Sequence, residues 1–426
     1  MFSLKQAQQL DSQDPLKRFR EYFFIPENKG KKLIYFCGNS LGLQPKKAKE
    51  YFDQELKDWA LLGVEGHFHG KNPWLNYHKL FSSSLSRIVG AEPSEVVAMN
   101  SLTANLHLML TTFYRPTARR YKIITEANSF SSDVYALASQ VKLHGKNPAK
   151  TIIELKPRKG EYTLRTEDII KVIEKNKDSL ALVMMSGVNY YTGQAFEMES
   201  ITRAARKAGA KVGFDLAHAI GNIPLDLHKW NVDFAVWCTY KYLNSGPGAV
   251  GGLFVHKRHA KNKNLQRLSG WWGHEEKERF LMKPVFKPMA GAEGWQLSNA
   301  PVFNMIAHKA SLEIFQEAGM KALIKKSRFM VKLLEDLIKL SCQAENGYKI
   351  KIITPGSIDE RGCQLSVLVQ KNGEELFKKI TQKGFMVDWR SPNVIRIAPV
   401  PLYNSYVEIF KLVAFLSTVC QYEKKN

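Results

Sequence analysis

Residues 238–248 read CysThrTyrLysTyrLeuAsnSerGlyProGly. They set Lys241 at the end of an apolar run, PheAlaValTrpCysThr (234–239), and directly before a Gly/Pro turn. Upstream, a second apolar run, LysValGlyPheAsp (211–215), delivers Asp215 at its own C-terminal end, with His218 close behind. A carboxylate and a lysine at the carboxyl ends of two strands lie where open α/β sheets build their sites. A strand-end aspartate can also merely cap a helix. Paired with a lysine, it suits pyridoxal phosphate, which needs an amine for a Schiff base and an acid to keep the pyridine nitrogen protonated.

Around this pair the chain alternates short β-rich runs with helical patterns. The candidate strands are GluValValAlaMetAsn (95–100), LysIleIleThrGluAlaAsn (122–128), ThrIleIleGluLeu (151–155), LeuAlaLeuValMetMetSer (180–186), GlyGlyLeuPheVal (251–255) and the two runs above. Helical stretches at 103–114, 166–176 and 198–208 fall between them. That repeat predicts an α/β fold: a doubly wound, mostly parallel sheet of seven strands. After about residue 300 a long amphipathic stretch (302–340) precedes short strands near 350–354, 364–369, 386–389 and 394–397, with helices at 374–383 and 406–422. This predicts a smaller α+β C-terminal domain. The expected division is 1–45 as an N-terminal segment packing on the small domain, 46–305 as the large domain and 306–426 as the small one.

The 426 residues are 44% hydrophobic and 24% charged, ordinary values for a globular protein. No apolar run approaches a membrane span, and the N-terminus lacks the apolar core of a secretory signal. The five cysteines (37, 238, 342, 363, 420) show no CxxC spacing and read as free thiols in a reducing cytoplasm. A net charge of +22 raises the possibility of nucleic-acid binding. The lysines are spread along the chain, however, and no basic block is interleaved with aromatics. A solvated basic surface that steers anionic ligands is the expectation, with neither nucleic acid nor membrane as partner.

Gly246, Gly248 and Gly251 formally spell GxGxxG. They lead into a strand rather than a helix, so they read as a sharp turn beside Lys241 and not as a dinucleotide loop. SerLeuThrAla (101–104) and PheSerSerAsp (130–133) each end a strand and open a helix. Both offer backbone N–H groups to an anion, and Phe130 adds a flat face for a heteroaromatic ring. His67 and His69, read as sharing a strand face, lack with His78 the cysteine or carboxylate that would complete a metal site, so no metal is expected. GlyTrpTrpGlyHis (270–274) and GlyTrpGlnLeuSerAsn (294–299) lie in a Gly-rich connection, either as interface packing or as a ligand-binding loop.

Several motifs, ordered along nearly the whole chain, resemble the kynureninase family. They are GlyAsnSerLeuGlyLeuGlnPro (38–45), MetAsnSerLeuThrAlaAsnLeuHis (99–107), SerGlyValAsnTyrTyrThrGlyGln (186–194), PheAspLeuAlaHisAlaIleGlyAsn (214–222), residues 237–248, GlyTrpTrpGlyHis (270–274) and ArgIleAlaProValProLeuTyrAsnSer (396–405). The resemblance implies the fold-type-I architecture of pyridoxal phosphate enzymes and a homodimer with active sites at the subunit interface. It implies hydrolytic cleavage of kynurenine or 3-hydroxykynurenine, within tryptophan catabolism.

Carried over by position, it makes Lys241 the Schiff-base lysine and Asp215 the partner of the pyridine nitrogen, with His218 beside it. Phe130 stacks on the ring, and Ser131, Ser132 and Asp133 belong to the same cofactor-binding turn. Leu102, Thr103 and Tyr240 match phosphate-binding positions, Ser186 is another cofactor contact, and Tyr240 is a candidate acid. Trp271 and Asn299 match positions that enter from the other subunit. Arg396 matches the arginine that grips the substrate carboxylate, and Ser40 and His67 match substrate-pocket positions. His67 and Asn299 together imply preference for the 3-hydroxylated substrate. Trp272 stands where animal members carry phenylalanine. Two alternatives stay open at this point: another enzyme of the superfamily, such as a cysteine desulfurase (for which Cys363 is the candidate thiol) or an aminotransferase, and a non-catalytic basic binding module.

Overall fold

The computed structural model describes residues 2–260, 262, 264–341 and 348–422. Cys342 lies outside them. The seven apolar runs become β1 (Val96–Ala98), β2 (Lys122–Glu126), β3 (Ile152–Leu155), β4 (Leu180–Ser186), β5 (Lys211–Asp215), β6 (Phe234–Trp237) and β7 (Gly252–Val255). They form one sheet in the order β1-β7-β6-β5-β4-β2-β3. Strands β2 to β6 run parallel to one another. The link from β6 to β7 contains no helical crossover, so β7 returns antiparallel to β6 and pairs antiparallel with β1.

Both faces of this sheet are covered, as near-continuous apolar strands require. Apart from α1 (Leu4–Gln13), which packs on the C-terminal part, helices α2 (Ala48–Leu62), α3 (Lys79–Val89), α4 (Leu102–Phe113), α5 (Ser131–Leu143), α6 (Thr166–Lys175) and α7 (Met198–Lys207) precede or follow its strands. Leu106, Met109 and Leu137 of α4 and α5 pack in one core cluster. Leu85 of α3, Ile169 of α6 and Ile201 of α7 pack in another. The doubly wound expectation is met.

The amphipathic stretch 302–340 is not one helix. Gly319, at φ +73°, divides it into α8 (Val302–Ala318) and α9 (Met320–Ser341), because a left-handed residue ends one helix before the next begins. Beyond it, β8 (Ile350–Ile352), β9 (Leu365–Val369), β10 (Asp388–Arg390) and β11 (Val394–Ile397) make a four-stranded antiparallel sheet. It packs with α9, α10 (Gly373–Gln382) and α11 (Tyr406–Tyr422) around its own core, which includes Leu334, Leu376 and Ile409. Residues 2–45 touch both bodies. Ala7 of α1 enters the second core and Ile34–Tyr35 pairs with Phe385–Met386, whereas Phe19, Phe23 and Leu43 belong to the large core.

His67 and His69 lie on a short helix, Gly66–His69, and not on a strand. Its compact turn follows directly from the 3-10 turn Gly63–Glu65, so the alternation of histidines with Phe68 does not report an extended backbone. Among the described residues, no helix is long and apolar enough to cross a membrane.

Candidate active site

The carboxyl ends of β2, β4, β5 and β6 converge on one cavity with the N-termini of α4 and α5. Leu102, Thr103, Phe130, Ser132 and Asp133 line one side of it. Ser186, Asp215, His218, Tyr240 and Lys241 line the other. Strand pairing alone fixes part of this geometry, since Ser186 lies directly opposite Asp215 across β4 and β5.

Lys241 is held from two directions. Its Nζ lies 3.0 Å from His218 Nε2 and 5.8 Å from the centre of the Phe130 ring. Its backbone is fixed from the N-terminal segment, where the Gly42 N–H donates to the Tyr240 carbonyl at 2.8 Å. A side chain at Gly42 would collide with the Lys241 carbonyl, so only glycine admits this approach. Helix α8 braces the loop after the lysine. His308 Nδ1 lies 2.8 Å from Ser245 Oγ, and Asn304 donates to the Gly248 carbonyl at 2.8 Å.

Asp215 is buried and accepts the Ala217 N–H at 2.7 Å. Burial pushes its carboxyl up, and that N–H, the Lys241 ammonium and a hydrogen bond from Asp133 offset only part of the rise. Asp133 is driven well above the ordinary carboxylate range by burial and then by Asp215, so Asp133 holds the shared proton and Asp215 carries the charge. Burial, Lys241 and Arg396 all push His218 well down, which keeps the imidazole neutral beside the lysine. Burial first and then Cys238 push the Tyr240 phenol up, so it stays protonated at neutral pH.

These residues fit pyridoxal phosphate. His218 Nδ1 and Asp133 Oδ1 are buried polar atoms without a protein partner, as expected where a polar group completes the site. Thr103 Oγ1 and Ser132 Oγ, 2.7 Å apart, tie together the starts of α4 and α5, where unpaired backbone N–H groups favour a phosphate. Phe130 is 45% exposed and presents a ring face at the cavity. Ser131, at the start of α5, is not among the lining residues.

A second group adjoins the first. Arg396 of β11 is fully buried, and its Nε and Nη2 lie 2.9 and 2.7 Å from Asp388 Oδ1. Its Nη1 donates to the carbonyl of Tyr190, a cavity residue, at 2.7 Å, and its Nη2 to Ser40 Oγ at 3.1 Å. Ser40 also bonds Asp388, and Arg390 stands 3.0 Å from the same carboxylate. Two guanidinium groups thus share one carboxylate and leave a net positive charge beside the cavity. Sequence reasoning missed Asp388, Arg390 and Tyr190. The charged pattern AspTrpArg in a short strand near Arg396 was the available signal.

Three expected residues lie elsewhere. His67 and Asn299 face a separate cleft, walled by Trp59, Trp74 and Phe303, that does not include Lys241. Trp271 lines neither. It is 44% exposed, and its ring packs edge-on against Trp272 and Phe280. Trp272 turns inward, buried under the Arg279 guanidinium 4.2 Å from its ring centre. Cys363, the candidate desulfurase thiol, is 1% exposed, and burial pushes it up to about 12. At neutral pH it is not the thiolate such chemistry requires. Elsewhere, Glu95, His228 and His256 lie close together. The Glu95 carboxylate is already engaged by His228 at 2.9 Å and by the Lys257 N–H at 2.8 Å.

Fold and site together define a fold-type-I pyridoxal phosphate enzyme. Accordingly, the aminotransferase class-V family model matches residues 43–351, and the kynureninase C-terminal domain model matches residues 323–416. The kynureninases of Flavobacterium psychrophilum and Myxococcus xanthus are each 52% identical to this chain, over 96% of it and 96% of their own length. The chain belongs to the kynureninase family. Among solved structures, a cysteine desulfurase from Thermococcus onnurineus has a TM-score of 0.74 at 17% identity, covering 99% of this chain and 100% of that one. A C-DES variant with glycine linked to its PLP cofactor has a TM-score of 0.74 at 15% identity, covering 90% and 96%. At such identities the likeness shows the fold alone.

Proposed function

We propose that this chain hydrolyses the Cβ–Cγ bond of L-kynurenine and 3-hydroxy-L-kynurenine, releasing L-alanine and anthranilate or 3-hydroxyanthranilate. The observation that carries the reading is the juxtaposition of the Lys241–Asp215–His218 cavity with the buried Arg396 clamp. Pyridoxal phosphate, when bound, joins the substrate amine covalently and takes up the electron pair released at Cα. Arg396 and Ser40 grip the amino-acid carboxylate, a task suited to the rigid fork of a guanidinium. Lys241, as a free amine, would remove the Cα proton, and neutral His218 accepts a hydrogen bond from it. Asp215 keeps its negative charge against the cofactor ring, with Asp133 donating to it. Water adds its oxygen to the aryl carbonyl carbon, the Cβ–Cγ bond breaks to release the aryl acid, and the protonated Tyr240 would supply the proton that Cβ takes up; the proton given up by the water restores Tyr240, and Lys241 returns its proton so that alanine regains its Cα–H.

The working protein is a cytoplasmic homodimer on this reading, divided at about residues 45 and 305. His67 and Asn299 share an exposed cleft away from Lys241, and Trp59 and Phe303 leave 58% and 40% of their surface open around it. An apolar rim of that size suits a subunit interface. There the cleft would receive the aryl end of a substrate held by the partner's lysine. His67 and Asn299 can both hydrogen-bond a phenolic hydroxyl, which favours the 3-hydroxylated substrate. Equimolar alanine and aryl acid released by the purified, cofactor-loaded protein tests the activity. Sulfide from cysteine with no aryl acid from kynurenine would replace it with the desulfurase reading.

A further inference from the structure

Three buried carboxyls, not two, stand behind the cavity. Glu126 ends β2, is 3% exposed, and faces Ser186 at the end of the adjacent β4. Its carboxyl takes the Ser186 backbone N–H at 3.2 and 3.3 Å on its two oxygens, and Oε1 lies 2.5 Å from Ser186 Oγ. Ser186 lies opposite Asp215, which bonds Asp133, and Lys241 is the one cation among the residues lining this cavity. Three anions in so small a buried volume against one ammonium would repel one another, so the group holds protons. Asp133 keeps one, by its bond to Asp215. Burial pushes Glu126 up as well, further than the hydrogen bonds from Ser186 pull it down, and the nearby Asp215 charge adds to the rise.

The protonation of Glu126 decides what Ser186 offers the cavity. An ionised Glu126 would capture the serine hydrogen and leave only lone pairs facing inward. A neutral Glu126 donates its own hydrogen to Ser186 Oγ across the short contact, and the serine hydrogen is then free to point into the cavity. We propose that Glu126 is a positioning residue of this site, neutral in the working protein, whose carboxyl proton makes Ser186 a hydrogen-bond donor toward the bound cofactor. The step moves no net charge, and it leaves Asp215 as the single anion facing the cofactor ring. It rests on the cofactor reading of Ser186 given above.

Holoenzyme carrying Glu126→Gln, Glu126→Ala, Ser186→Ala and the Glu126→Ala/Ser186→Ala pair tests it. Glutamine can donate to Ser186 Oγ as the neutral acid does, whereas alanine cannot. The infrared difference between wild type and Glu126→Gln at neutral pH should show loss of a protonated-carboxyl C=O band. The pH midpoint of the visible band of lysine-bound cofactor should stay where it is. Glu126→Ala should lower kcat/KM about tenfold, the cost of one misdirected hydrogen bond. Glu126→Gln should recover most of that, and Glu126→Ala should add little to Ser186→Ala.

Loss of carboxylate bands alone, or a midpoint lowered by the missing charge, would mean that Glu126 is an anion and overturn the proposal. So would an undiminished effect of Glu126→Ala in the Ser186→Ala background. The infrared result stands even if Glu126→Ala fails to fold. Failure of the underlying site reading looks different: a visible band absent from wild type, or retained in Lys241→Ala.

Discussion

The Lys241 cavity and the His67/Asn299 cleft are built by opposite rules. The cavity draws on four neighbouring strand ends and two helix starts of one sheet, and its carboxyls, Asp133 and Asp215, are buried and bonded to each other. The cleft sits on α2, the turn after it and the start of α8, with aromatic walls open to solvent. Chemistry that needs a fixed charge is set in the interior of one chain, where the dielectric is low and geometry is rigid. On the function proposed above, recognition of a substrate's far end falls to a surface that a second chain would complete.

The largest expected effect falls on the cavity. Lys241→Ala should abolish turnover and covalent capture of the cofactor, read as loss of the visible band and of borohydride trapping. Turnover at the wild-type rate would remove the lysine from the mechanism. Asp215→Asn should retain bound cofactor and lower kcat by about a hundredfold, the usual scale for losing one preorganised charge. Unchanged kcat with an intact visible spectrum would assign the ring nitrogen to another group.

Mixing sharpens the contrast between the regions. Equal amounts of Lys241→Ala and Asn299→Ala subunits, allowed to exchange, should recover roughly a quarter of wild-type activity, because half the dimers carry one complete site. Activity no higher than either parent after demonstrated exchange would place Asn299 in its own chain's site or in none. A smaller effect belongs to the cleft alone. Asn299→Ala should reduce the kcat/KM preference for 3-hydroxykynurenine over kynurenine by about tenfold, as an unmet hydroxyl partner predicts. A wild-type preference for unsubstituted kynurenine would refute that role.

The smallest effect is one of stability. Burial depresses His308, under the lysine loop, to about 3. The unfolded chain therefore takes up the proton first as pH falls, and the contribution is complete above about pH 6.5. It is lost progressively below that, at a cost of about 2 kcal/mol by pH 5. Urea unfolding at pH 7 and pH 5 should show this loss in wild type and not in His308→Gln.

Most of the large sheet was legible because each of its strands is a short apolar run ending in turn residues. Lys241 and Asp215 were legible for the same reason, as polar residues that close such runs. Glu126 closes LysIleIleThrGlu in the same way, yet nothing in sequence said that β2 and β4 are neighbours and bring it to Ser186. The antiparallel return of β7 was not legible either, since strand direction depends on what the connection does in space. His67 and His69 misled because an alternation only a few residues long fits a tight helical turn as well as a strand. The Asp388–Arg396–Ser40 clamp was half visible. The arginine has a motif around it, whereas the carboxylate that orients it is recognisable only once β10 and β11 are paired.

That clamp joins residues 356 positions apart in the chain. During synthesis, everything that lines the Lys241 cavity is made well before Arg396 leaves the ribosome. The site as proposed is therefore complete only when the last strand docks against the first forty residues, and that docking also closes the main core, which takes in Ala398, Val400, Leu402 and Tyr403.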